Sequence, residues 1–133
     1  MAFVDTVAWI ALANTRDSLH AKARSIFDQL WQSDTRFLTS EFVLVELGNA
    51  LSATSLRTQT ALFIRSLNRA PSIEIIPSST GLFKQGLELF ESRSDKDWGL
   101  VDCTSFVIMN ERNVDVAFTE DRHFTQAGFT ILL

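Results

Sequence analysis

Cysteine, proline and glycine are scarce in this chain of 133 residues, with one, two and five of each. A lone Cys103 excludes an internal disulfide and any cysteine-rich zinc site, in keeping with a reducing compartment. The two histidines, His20 and His123, stand at no metal-ligand spacing to each other or to Cys103, so no zinc is expected. Long hydrophobic runs are missing too. Segments such as Val7 to Ala13 and Phe106 to Met109 fall far short of the roughly 18 apolar residues that span a bilayer. Met1 leads straight into a strand-like segment with no basic leader, so a soluble cytoplasmic protein without membrane association is expected.

A surplus of positive charge is also absent. Twelve Lys and Arg against sixteen Asp and Glu give a net charge of −4, whereas phosphate-binding surfaces are normally basic. Four acids singled out below account for that whole difference, so the acidity does not exclude a nucleic-acid partner. What the chain has in quantity is apolar side chains, 46% of its residues, enough for a single domain over residues 1–133 with a sizeable core.

Short apolar segments alternate with amphipathic ones. Phe3-Val4, Phe37-Leu38-Thr39, Ile73 to Ile76, Val116 to Phe118 and Thr130 to Leu133 read as strands. Between them lie helices over Thr6 to Ala13, from an Asp17 or Ser18 cap through Trp31, over Glu41 to Ser52 after a Ser40 cap, and from Ser55 past Leu67. Further helices are expected over Ser78 to Arg93, with Phe83 and Phe90 inward, over Leu100 to Glu111, and over Arg122 to Ala127. The polar stretch Ser92 to Asp97 is the one exposed loop of any length. This alternation predicts an α/β fold, a central parallel sheet of four to five short strands with helices on both faces.

Four carboxylates stand beside core segments: Asp5 after Phe3-Val4, Glu46 between Val45 and Leu47, Asp102 after Leu100-Val101, and Asp121 after Phe118-Thr119-Glu120. Asp5 and Asp121 follow strands, and in a parallel sheet the carboxyl ends of the strands form the edge where ligands bind. Glu46 and Asp102 lie on helices with largely apolar neighbours one turn away, which predicts that both point inward. An unpaired buried carboxylate costs several kcal/mol. Four together imply a compensating hard cation such as Mg²⁺ or Mn²⁺, and hydrolysis of a phosphodiester is the chemistry that oxygen-only set suggests. Each acid alone could instead cap a helix or turn.

Phe3-Val4-Asp5-Thr6, Val45-Glu46-Leu47-Gly48-Asn49-Ala50-Leu51, Asp97-Trp98-Gly99-Leu100-Val101-Asp102-Cys103-Thr104-Ser105-Phe106 and Ala117-Phe118-Thr119-Glu120-Asp121-Arg122-His123-Phe124 resemble, in order and spacing, the four acidic motifs of the PIN domain. The similarity runs the length of the chain and is closest to the VapC-type ribonuclease toxins of bacterial toxin–antitoxin pairs. It implies a Mg²⁺- or Mn²⁺-dependent endoribonuclease in which Asp5, Glu46, Asp102 and Asp121 form the acidic quartet. Asp5, Asp102 and Asp121 would hold metal, Glu46 would orient or deprotonate the attacking water, and Asp97 matches an auxiliary acid. The products would be a 5′-phosphate and a 3′-hydroxyl, and the partners RNA, a cognate antitoxin and a second copy of the chain. Gly99 departs from the pattern, in which a small hydroxyl residue often caps the following helix.

Thr6 and Thr119 are candidate hydrogen-bond donors to the metal-holding acids. Arg57, Arg65 and Arg69 could meet an RNA backbone or form a solvated helix face, and His123 could touch a phosphate. Cys103 reads as a small core residue, and Trp98 as a residue shaping the cleft. A receiver- or phosphatase-like domain would want a second acid two residues after Asp5, where Val7 stands, or a strand-end lysine, and only Lys22, Lys84 and Lys96 exist. The stronger rival is a catalytically inactive PIN-like module that binds RNA or protein, which loss of the acids would mark.

Overall fold

The computed structural model describes all residues, 1–133. Its strands are β1 (Ala2–Val4), β2 (Phe37–Ser40), β3 (Ile73–Ile76), β4 (Val116–Phe118) and β5 (Thr130–Ile131), which form one sheet in the order β3-β2-β1-β4-β5. Every pairing is parallel. The helices are α1 (Thr6–Ala13), α2 (His20–Gln32), α3 (Glu41–Ala50), α4 (Arg57–Leu67), α5 (Thr80–Ser92), α6 (Leu100–Glu111) and α7 (Arg122–Gln126). Phe3 and Val4 point to opposite faces of the central strand and both are fully buried, so the sheet is covered on both sides. An α/β domain with a parallel sheet, as expected, is what the chain forms.

The core clusters around that central strand. Phe106 meets Phe124 edge-on with ring centroids 4.9 Å apart, and Phe3 lies against Phe124 at 6.3 Å. Beneath the end of β1, the Thr39 hydroxyl donates to the Val4 carbonyl (2.9 Å) and accepts from Trp9 Nε1 (3.1 Å), tying α1, β1 and β2 together just below Asp5. No helix is long and apolar enough to cross a membrane.

Several local expectations need correction. Neither Asp17 nor Ser18 caps α2: Asp17 Oδ1 accepts from Leu19 N–H (2.9 Å) in a turn, and the helix starts only at His20. Likewise α4 begins at Arg57 rather than Ser55, and α5 begins at Thr80 rather than Ser78, with Ser79 capping it by accepting from Leu82 N–H. Phe83 and Phe90 are not inward, with 43% and 46% of their surfaces exposed. The buried stripe of α5 is narrower than its apolar stripe and is confined to Leu82 and Gly86.

Gly86 sets how closely α5 approaches α6. A Cβ there would stand 2.6 Å from Thr104 Cγ2, 3.3 Å from Thr104 N and 3.4 Å from Thr104 Cα. Relief requires moving backbone of α6, two residues from Asp102. Gly86→Ala therefore destabilises the fold, because an overpacking cost toward the upper end of about 1–3 kcal/mol at so short a contact outweighs the ~1 kcal/mol helix-propensity gain. A melting temperature equal to or above the wild-type value would refute this close packing.

Candidate active site

The parallel register between β1 and β4 pairs Val4 with Phe118, so the chain leaves the sheet at Asp5 on one strand and at Thr119 on its neighbour. Asp5 N–H continues the ladder by donating to the Phe118 carbonyl (3.3 Å). Asp5 as a residue is 3% exposed, and its Oδ2 accepts from the Thr119 hydroxyl (3.0 Å). That hydroxyl in turn accepts from Asp121 N–H (3.0 Å). One threonine thereby locks an acid of the first motif to the backbone of an acid of the fourth.

Asp121 caps α7, its Oδ1 accepting from His123 N–H (2.9 Å). Asp102 occupies the third position of α6 and reaches back so that Oδ2 accepts from Gly99 N–H (3.0 Å). The helix start that lacks a capping hydroxyl at Gly99 is thus secured by the acid itself. The same Asp102 oxygen lies 3.2 Å from His123 Nδ1, and Asp121 Oδ1 lies 3.4 Å from that nitrogen. Donor atoms of Asp102, Asp121 and His123 all fall within 4.8 Å of one another, close enough to share an ion, and Asp5 stands outside that trio.

Electrostatics link Asp5 and Glu46 to the cluster. Burial pushes the Asp5 carboxyl from 3.8 up to about 7, although the Thr6 amide and Thr119 hydroxyl pull it down, and the charges of Asp102 and Glu46 add to the rise. Asp102 is raised as well, chiefly by burial and then by the charge of Asp121, against the opposing pull of Gly99 N–H and His123. No Lys or Arg forms an ion pair with any of the four acids. A buried carboxylate with no basic partner and an orphaned Thr6 hydroxyl beside it fit a site that takes a divalent cation.

Glu46 departs from expectation. It is exposed on α3, as is Val45, because the buried face of that helix runs through Val43, Leu44 and Leu47. It reaches Asp5 by charge and not by burial. Asp97 is exposed. Trp98 is buried, donating from Nε1 to Gln126 Oε1 (3.0 Å), with Arg93 over its ring at 4.8 Å, and so anchors the loop that leads into α6. Arg57 donates to the Ser52 carbonyl and, with Arg65 and Arg69, is exposed. His123 is the residue whose place sequence reasoning understated. Its signal was the two-residue offset from Asp121, which a capped turn brings back against the acids.

Thr119→Val tests the threonine lock. It would strand Asp5 Oδ2 and the Asp121 N–H without partners, lowering stability by about 1–3 kcal/mol and raising the Asp5 carboxyl further. Chemical denaturation in metal-free buffer measures the first effect, and an unchanged midpoint would show that the bridge holds nothing.

A family model described as "PIN domain" matches residues 2–130. The 23S rRNA-specific endonuclease VapC20 of Mycobacterium tuberculosis is 28% identical over 130 residues, covering 97% of this chain and 95% of that protein. The crystal structure of VapC20, named there as a sarcin-ricin loop cleaving toxin, aligns with a TM-score of 0.84 at 26% identity, over 98% of this chain and 97% of that one. VapBC2 from Rickettsia felis, bound to a fragment of promoter DNA, aligns with a TM-score of 0.71 at 16% identity over 98% and 96% of the two chains. FitAcB from Neisseria gonorrhoeae aligns at 0.68 and 14% identity over 100% and 97%. The last two demonstrate shared fold alone.

Proposed function

This chain belongs to the PIN domain family, and from that membership we propose that it is a Mg²⁺- or Mn²⁺-dependent endoribonuclease, the toxin of a type II toxin–antitoxin pair. The observation that carries the reading is Asp5, a buried carboxylate with no Lys or Arg partner, whose carboxyl the charge of Asp102 helps to raise. The similarity to VapC20, an RNA-cleaving toxin by name, supports it over the full length of both chains. An inactive binding module is not favoured, since all four motif acids are present.

In this reading Asp5, Asp102 and Asp121 would hold the cation, whose chemistry when bound would be to offset charge on the scissile phosphate and to lower the pKa of a water. The Thr119 hydroxyl fixes the Asp5 carboxylate and the Asp121 backbone relative to each other. Gly99 N–H fixes Asp102 at the start of α6. Glu46, the exposed member, orients the water or accepts its proton. Water adds to phosphorus as the bond to the 3′ oxygen breaks, leaving a 5′-phosphate and a 3′-hydroxyl. A cognate antitoxin, a homodimer and a cytoplasmic setting complete the proposal.

The test is cleavage of total RNA, and of 23S rRNA, by pure protein with Mg²⁺, Mn²⁺, Ca²⁺ or EDTA, beside the Asp102→Asn protein. Cleavage is expected with Mg²⁺ and Mn²⁺, little with Ca²⁺, whose looser shell positions water less well, and none in EDTA or with Asp102→Asn. Wild-type cleavage that persists in EDTA, and is absent from a mock preparation, would overturn the cation-dependent mechanism.

A further inference from the structure

We propose that His123 contributes a nitrogen donor to the cation site and biases that site toward Mn²⁺ and later first-row ions over Mg²⁺. The inference rests on the cation-dependent reading above. Three observations support it. The Asp121 cap fixes the His123 backbone, since Asp121 Oδ1 accepts its N–H at 2.9 Å. The side chain then turns back toward two acids at once, with Nδ1 3.2 Å from Asp102 Oδ2 and 3.4 Å from Asp121 Oδ1. Donor atoms of these three residues, and not of Asp5, are the ones that lie within 4.8 Å of one another.

The donor set nearest to convergence is therefore mixed, two carboxylates and an imidazole, where the motif acids alone would make it all oxygen. That difference has a chemical consequence. Mg²⁺ takes oxygen ligands and sheds water reluctantly, whereas imidazole nitrogen suits transition ions, with affinity rising from Mn²⁺ through Co²⁺ to Ni²⁺. No other basic side chain pairs with these acids, so His123 has no rival for the position.

Two measurements decide the matter. Calorimetric titration of metal-free wild type, His123→Ala and His123→Asn with Mg²⁺, Mn²⁺ and Ni²⁺ should show Mn²⁺ and Ni²⁺ affinities falling at least about tenfold in both variants while Mg²⁺ affinity changes less than about threefold. Pulsed electron paramagnetic resonance of wild type loaded with Mn²⁺ should show nitrogen hyperfine coupling, a readout that needs no variant to fold. An equal fall for all three ions would assign His123 a packing or charge role and overturn the proposal. So would unchanged affinities together with weaker RNA cleavage, which would make His123 a substrate contact. Wild type that binds ions without nitrogen coupling refutes this inference alone, whereas wild type that binds none of them refutes the cation-dependent reading as well.

Discussion

Asp5→Asn is expected to abolish cleavage, by a factor of about 10³ or more, and to yield a protein more stable than wild type at neutral and alkaline pH. The first effect follows from the place of Asp5 in the proposed cation site, the second from its burial. The folded Asp5 carboxyl stands at about 7 against an ordinary 3.8, so between those values the folded state holds a proton that the unfolded state has released. Wild-type stability from this group is then fully present below about pH 4 and is lost as pH rises through about 7. The slope is about 1.4 kcal/mol per pH unit, which integrates to about 4 kcal/mol over the window. Asparagine carries no charge to bury and still offers Oδ1 to the Thr119 hydroxyl that now serves Asp5. The stability gain of the variant in metal-free buffer should therefore be near zero at pH 4 and reach its full size above pH 7. Denaturant titrations across that range check it, and a variant equally or less stable at pH 8 would show that the ionised carboxylate is compensated in the fold.

The parts of this architecture that were legible in the sequence are those that local chemistry dictates. Phe3-Val4 before Asp5 and Ala117-Phe118 before Thr119 announce buried strands ending at the same sheet edge, and the register between them confirms that edge. Ser40 in front of a helical stripe announces a cap, and its hydroxyl accepts from Val43 N–H at 3.2 Å. What stayed hidden depends on which part of an apolar face finds a neighbour. Glu46 stands among apolar residues, yet α3 buries only Val43, Leu44 and Leu47, and both Val45 and Glu46 face solvent. Phe83 and Phe90 continue the apolar stripe of α5 beyond the part that α6 covers. His123 was hidden for a different reason. Its contact with Asp102 spans 21 residues of chain and exists only because α6 and the turn after β4 meet.

Mn²⁺ is expected to raise the melting temperature of the metal-free protein steeply, and by an amount that grows with pH. A ligand that binds only the folded state stabilises by about 2.7 kcal/mol at a hundred times its dissociation constant, which for a domain of this size corresponds to a shift of roughly 10 °C. Proton and cation compete for the same carboxylates, because a ligand acid must be ionised to bind metal. With Asp5 half-protonated near pH 7, the apparent affinity should fall by as much as about tenfold per pH unit below it. At fixed Mn²⁺ the thermal shift should therefore dwindle toward pH 5, and EDTA should erase it at every pH. Ca²⁺ should also raise the melting temperature while supporting little cleavage, separating occupancy of the site from catalysis. In Asp5→Asn the remaining shift should be smaller and should fall less steeply toward low pH than in wild type, since the proton on Asp5 no longer competes while those on the other ligands still do. A Mn²⁺ shift in wild type that is independent of pH between 5 and 8 would mean that the ion binds away from Asp5, and the assignment of Asp5 to the cation site would fall.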